Sequence, residues 1–257
     1  MTRRRWIADT WSDDTAALHG DQARHLSRVL RAQPGMEFDV VADGHAWLAR
    51  VASIERDSVQ FTLLRELDAA PGLPVTLLLS IFKFDRMEWA IEKAVELGAS
   101  RIVPVLAERT EKHLAQAADK RVERWRRIAL EAAKQSRRSD LPEIADPARL
   151  PKLLASSEPA ETAEPRAEQD APGPLRILLS EVEEDQPLLR LLKQEITAGS
   201  REVLLAIGPE GGWTPAELAL FTGAGWHSAS LGPRILCVET ATVAALAVVS
   251  ATTAEDR

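Results

Sequence analysis

The sequence predicts an α/β chain in two parts: a small β-rich domain at 1–70 and a larger domain at 73–257 built on a largely parallel sheet. Three observations carry this. Short strand-like runs with tight turns fill the first seventy residues. A stiff boundary, Ala70-Pro71-Gly72-Leu73-Pro74, follows them. Beyond it, apolar runs of strand length alternate with helical patterns, the rhythm of a parallel sheet covered by helices.

In the first part, residues 21–35 read as a short helix with Leu26, Val29 and Leu30 on one face, ended by Pro34-Gly35. The runs 36–42 and 45–54 flank Asp43-Gly44, a strong hairpin signal. A third run, 58–64, is entered through the polar turn Glu55-Arg56-Asp57. Short strands of this kind predict a small barrel or sandwich.

In the second part, 75–82 is a strand. Residues 85–98 form a helix, with Asp85 as its cap, Glu88 three residues on and Gly98 at its end. Pro104 marks the strand 101–107 as an edge or a bulge. A long helix over 118–138 carries the apolar stripe Val122, Trp125, Ile128, Ala129 and Ala132. Further strands fall at 176–180 and 202–208. Thr214-Pro215 with Glu217 is a capping box with proline at the first helical position. Residues 238–253 are an apolar final helix. The Ala/Glu/Pro-rich stretch 155–174 has no apolar face and reads as a flexible loop.

Composition bounds the function. The chain has 257 residues, 45% hydrophobic, enough for a sizeable core. No apolar run spans a bilayer and no secretory leader is evident, so a cytoplasmic location is expected. The lone cysteine, Cys237, excludes an internal disulfide and an intrachain thiolate cluster. No metal is expected. The net charge is −7, but it is unevenly spread: residues 101–141 carry 11 Lys or Arg against 6 Asp or Glu, and 142–200 carry 6 against 12. Phosphate affinity follows a local patch rather than the sum.

Three loops could hold chemistry, and two of them follow strands, where α/β sheets bind ligands. The first is Ile207-Gly208-Pro209-Glu210-Gly211-Gly212-Trp213. Its glycines allow close backbone approach to a ligand. Alone, it is as well explained by a tight β-to-α turn, and it matches no dinucleotide or P-loop fingerprint. The second runs from Leu231 and Gly232 through Arg234, Ile235, Leu236 and Cys237 to Glu239 and Thr240. A structural ion pair and a helix cap would account for Glu239 and Thr240, less well for Arg234. The third, 133–142, holds Arg137 and Arg138 at a basic helix end, which is either a solvated terminus or a phosphate contact. Trp213 and Trp226 read as core.

The pairing of IGPEGGW (207–213) with LGPRILCVETAT (231–242) resembles the signature of the RsmE-type RNA methyltransferases of the SPOUT superfamily. So do MEWAIEKAVELGASRIVPV (87–105), EAAKQSRRSDLPEI (131–144), RRWIA and HLSRVLRAQPG. The resemblance implies a PUA-like β-barrel at 1–70 and, at 73–257, a SPOUT methyltransferase domain whose carboxyl end forms a trefoil knot. It implies S-adenosyl-L-methionine as cofactor, a homodimer, and methylation of N3 of a uridine in bacterial 16S rRNA of the small ribosomal subunit. The cofactor pocket would comprise Ile207, Gly208, Pro209, Glu210, Gly211, Gly212, Leu231, Gly232, Ile235, Leu236, Cys237 and Thr240. The chain departs from the pattern at Cys237, where Arg is usual, at Arg137, where Gly is common, and at Asp140, where a basic residue is common.

Methylation at N3 needs a proton removed or negative charge on the base stabilised. Arg234 and Glu239 are the first candidates, with Glu210 for proton handling and Arg138 for phosphate or charge. The helix 118–138 with Arg3, Arg4, Arg5, Arg24, Arg28 and Arg31 is the expected RNA surface, and His25 and His113 are weaker candidates. Two other readings stay open: a SPOUT enzyme for another rRNA or tRNA position, and a non-catalytic ribosome-assembly factor.

Overall fold

The computed structural model describes residues 5–67, 74–136, 138, 140, 142–156, 173–183, 185–196 and 202–255. The boundary residues 70–73, most of the expected loop at 155–174, and Arg3, Arg4 and Arg137 lie outside the described residues. The chain divides into two compact units, Met1–Pro71 with Leu130–Leu141, and Gly72–Ala129 with Pro142–Arg257.

The first unit holds β1 (Arg5–Ile7), β2 (Thr10–Trp11), β3 (Thr15–His19), α1 (Gly20–Arg24), β4 (Glu37–Ala42), β5 (His45–Ile54) and β6 (Ser58–Glu66). The predicted hairpin of β4 and β5 forms, with Asp43 and Gly44 both at positive φ in its turn. The sheet order is β1-β4-β5-β6-β3-β2. Its two edges belong to one run of chain. β1 pairs with β4 and β2 with β3, and between them Ala8 donates to Val41 O and Asp9 to Ala17 O, both at 2.8 Å. The sheet therefore curls and closes through its own first strand. Trp6, Leu18, Leu26, Val40, Val51, Val59 and Phe61 fill the interior. The predicted helix is present as α1 followed by a π-helical turn, His25–Val29. Leu26 is buried, but Val29 and Leu30 are 65% and 46% exposed, because the wider turn rotates them off the apolar face.

The second unit is a seven-stranded sheet, parallel at every pairing. Its strands are β7 (Val75–Ser80), β8 (Ala99–Leu106), β9 (Glu143–Ile144), β10 (Ala148–Arg149), β11 (Leu175–Leu179), β12 (Val203–Ile207) and β13 (His227–Ala229), in the order β10-β8-β7-β12-β11-β13 with β9 also on β8. Every residue of β7 is buried, as a strand covered on both faces requires. Pro104 is not at an edge on the β7 side, where it pairs with Leu79. On the other side β9 pairs with residues 101–102 and β10 with 105–106, so Pro104 falls in the gap between two short ladders and its missing donor costs no bond.

Helices α2 (Phe84–Glu96), α3 (Lys112–Ala117), α4 (Val122–Ser136), α5 (Leu150–Ser156), α6 (Leu188–Ile196), α7 (Pro215–Gly223) and α8 (Val238–Glu255) complete the chain. Asp85 does not cap α2. Lys83 holds the cap position without a side-chain bond, and Asp85 lies in the first turn, where its charge still favours the helix dipole. Glu88 is instead drawn to Arg124. Gly98, at φ 99°, follows the last turn as expected. The predicted helix 118–138 begins with a 3-10 turn, Ala118–Arg121, before α4. Among the described residues no helix is long and apolar enough to cross a membrane.

The connectivity makes the site. β12 lies on one side of β11 and β13 on the other, so consecutive connections run in opposite directions. Such a reversal leaves a crevice at the carboxyl ends of the strands. After β13 the chain is held beside the segment entering α6: Ser230 N donates to Gln186 O and Leu188 N to Ser230 O, each at 2.9 Å. It then returns to the crevice and enters α8, which packs on α2, α6 and β12.

Candidate functional site

A cavity of about 450 Å³ opens at the carboxyl ends of β11, β12 and β13, at Leu179, Ile207 and Ala229. Its volume is in the range of small-molecule sites. Both glycine-bearing segments line it. From the first come Ile207, Gly208, Pro209, Glu210, Gly211 and Gly212. From the second come Leu231, Gly232, Arg234, Ile235, Leu236, Cys237 and Glu239. Two predicted residues are not part of the lining. Thr240 is exposed on the first turn of α8, where its neighbours Glu239 and Ala241 line the cavity and it does not. Arg138 belongs with the first unit and pairs with Asp140.

The loop after β12 is fixed from below by the end of β8. Gly212 N donates to Pro209 O at 2.8 Å, closing a tight turn. Arg109 donates through Nη1 to Gly211 O at 2.5 Å. Glu217, 5% exposed, accepts from Glu108 N at 2.8 Å and from Thr214 N at 2.9 Å, while its own N donates to Thr214 Oγ1. The predicted capping box is thus present and also ties α7 to β8. Beneath it, Phe221 packs edge-on between Trp213 and Trp226, with ring centroids at 4.9 and 5.1 Å. Both tryptophans are core, as expected, and Trp213 is also a wall of the cavity.

Two glycines here stand close to side chains of the cavity. A Cβ on Gly208 would stand 3.2 Å from Trp213 Nε1. One on Gly212, whose φ is 68°, would stand 2.2 Å from Glu181 Oε1. The floor at these positions is backbone, with the Trp213 ring and the Glu181 carboxylate close to it.

Two lining residues, Arg86 and Glu181, carry charges that the glycine-rich segments do not announce. Arg86, on α2, forms an ion pair with Glu239 at 3.4 Å. The partner of Glu239 is therefore this arginine rather than Arg234. Arg234 is exposed and, among the described residues, makes no ion pair or side-chain hydrogen bond. Glu181 follows β11 directly and lines the cavity. Cys237 is a free, exposed thiol in the wall.

The basic residues expected to contact RNA divide sharply. Arg124 grips Glu88 with two hydrogen bonds of 2.6 and 2.7 Å. Arg126 bonds Glu123 at 2.6 Å and Asp146 at 2.9 Å, and Arg24 bonds Asp21 and, at 2.8 Å, Asp57. These bonds to carboxylates push Arg24, Arg124 and Arg126 further above the usual guanidinium range. Arg28, Arg31 and Arg127 are exposed and form no ion pair among the described residues. His25 packs against Trp6 at 5.8 Å, and His113 lies beside Glu111 at 3.4 Å. The side chain of Arg5 lies outside what the structure describes.

Comparison with known proteins matches the chain in two parts. The model of an RNA methyltransferase PUA domain matches residues 18–64, and that of an RNA methyltransferase domain matches 69–250. The chain belongs to the RNA methyltransferase family. The Ribosomal RNA small subunit methyltransferase E of Synechocystis sp. is 35% identical over 240 residues, covering 92% of this chain and 73% of that one. The protein of the same name from Mycobacterium bovis is 32% identical over 259 residues, covering 98% and 93%. The crystal structure of a Ribosomal RNA small subunit methyltransferase E from Neisseria gonorrhoeae, bound to S-adenosyl methionine, superposes with a TM-score of 0.75 at 29% identity, over 96% of each chain.

Proposed function

We propose that this RNA methyltransferase transfers a methyl group from S-adenosyl-L-methionine to N3 of a uridine in the 16S rRNA of the small ribosomal subunit, in the cytoplasm and as a homodimer. The observation that carries the reading is the convergence of the segments 207–213 and 231–239 on one cavity. The residues present fit the cofactor. Gly208, Gly211 and Gly212 offer backbone groups to a flat polar base. Leu179, Ile207 and Leu236 offer apolar walls, and the volume suits a nucleoside joined to an amino acid. Leu179 is 8% exposed and Ile207 3%, so polar contacts at the floor act beside a dry wall.

The bound group supplies an electrophilic methyl on a positively charged sulfur. The chain supplies placement and proton handling. Holding the reactants in line is worth roughly 7–11 kcal/mol in favourable cases. Glu210 stands exposed on the loop with no ion pair among the described residues, free to take the N3 proton. Glu239 is engaged by Arg86, which assigns the pair to shaping the cavity. Arg234 faces the cavity as a cation for phosphate or for negative charge on the base. In this reading the PUA-like unit at 1–70 docks RNA and residues 73–257 carry the chemistry. Dimerisation is supported by α8, whose Ala247 is exposed and whose Val243, Ala244 and Val248 are half-buried on an apolar helix.

The test is methyl transfer from labelled cofactor to small ribosomal subunits lacking their own modification, followed by nucleoside mass spectrometry. Label appearing as 3-methyluridine in 16S rRNA is the expected result. Label in a different nucleoside would overturn the position, and none at all would overturn the enzyme.

A further inference from the structure

The cavity contains a carboxylate that the glycine-rich segments do not predict. Glu181 leaves the carboxyl end of β11, and its Oε1 occupies the space a side chain at Gly212 would fill, 2.2 Å from where that Cβ would stand. The missing side chain at Gly212 leaves the room that this carboxylate takes at the cavity floor. Among the described residues no cation or hydrogen-bond donor engages the Glu181 side chain. The other two carboxylates of the lining differ. Glu239 is neutralised by Arg86, and Glu210 stands on the loop after β12; Glu181 and Glu210 are both exposed and unpaired among the described residues, but only Glu181 lies over the glycine floor, at Gly212.

We infer that Glu181 is the residue that recognises the positive charge of the methyl donor. This rests on the cavity being the cofactor site. S-Adenosyl-L-methionine carries two cationic centres, the sulfonium and the α-ammonium, and either can be the one that meets the carboxylate. Buried Leu179 and Ile207 line the same cavity and lower the local dielectric, which strengthens such an attraction over its value in water. Glu181 is thereby a specificity residue, one that favours the charged donor over neutral nucleosides of the same shape.

The experiment is titration calorimetry of the full chain and of Glu181→Gln with S-adenosyl-L-methionine and with S-adenosylhomocysteine, which keeps the ammonium but lacks the sulfonium charge. The amide keeps the shape and removes the charge. The expected result is that Glu181→Gln weakens binding of the methyl donor about tenfold. If the homocysteine product is unaffected, the sulfonium is the centre recognised; if it weakens equally, the ammonium is. Glu181→Asp, which keeps the charge but withdraws it, should fall between the two proteins. Unchanged affinity for both ligands in Glu181→Gln overturns the inference while leaving the cofactor reading intact. Failure of the unaltered chain to bind either ligand overturns the cofactor reading and this inference with it. Thermal melting of each variant separates a binding defect from a folding one.

Discussion

Arg86 of α2 reaches Glu239, in the first turn of α8, at 3.4 Å, and joins two helices far apart in sequence at the rim of one cavity. The arginine side chain is 47% exposed and the glutamate 19%, so the pair contributes little to global stability. Its effect is local, on how the start of α8 faces the ligand.

Arg86→Ala should therefore change unfolding free energy by no more than about 1 kcal/mol in urea titration. It should still raise the KM for the methyl donor severalfold, because Glu239 is left free to swing into the cavity. Arg86→Lys should recover part of that loss. A stability loss much larger than this, with unaltered KM, would remove the pair from the site.

Gly212→Ala meets two obstacles, a positive φ and the carboxylate of Glu181. The backbone cost alone is about 1–2 kcal/mol. The carboxylate, at the end of a flexible side chain, must also turn away. The variant should melt lower and bind the donor more weakly than Gly211→Ala, whose added Cβ meets only Arg109 Cδ at 3.2 Å. Calorimetric melting with and without ligand tests both effects.

Glu217→Ala removes a buried acceptor that serves Glu108 N and Thr214 N together. Loss of the cap and of a bond to a buried donor should cost about 1–3 kcal/mol. Because these bonds anchor Thr214, the residue after the loop 208–213, donor affinity should fall with stability. Hydrogen exchange at Glu108 and Thr214 amides is the direct readout.

Arg28, Arg31 and Arg127 are exposed cations that form no ion pair among the described residues. Each Ala substitution that removes a phosphate contact should reduce the salt dependence of RNA binding by about 0.7–0.9 in log–log slope. Arg126→Ala, whose charge is already shared by Glu123 and Asp146, should leave the slope nearly unchanged. Filter binding over a range of salt concentrations distinguishes the two groups.

Much of this architecture is legible in the chain. The hairpin at Asp43-Gly44, the capping box at Thr214 and the strand runs of the parallel sheet all rest on local chemistry, and local chemistry is what a sequence displays. β1 and β2 are harder to read: they are three and two residues long, too short to display an alternation. In the site, the two glycine segments announce themselves because a backbone floor needs glycine. Arg86 and Glu181 do not. An exposed arginine on an amphipathic helix and a glutamate in the run Glu181-Val182-Glu183 both look like ordinary solvated surface. Only the crossing of the chain after β13 brings them to the same cavity. Arg138, read as part of the site, is paired with Asp140 instead, a neighbour whose charge local pattern alone does not weigh.

The closure of the first unit has a practical corollary. Residues 5–11 act as both first and last stave, pairing with β4 on one flank and β3 on the other. Cutting or displacing that single ribbon would strip two seams in one event, leaving raw edges able to zip onto a neighbouring molecule. An affinity handle fused tightly ahead of residue 5 therefore endangers solubility even where the methyl-transfer half is untouched, and a handle at the other terminus avoids the hazard.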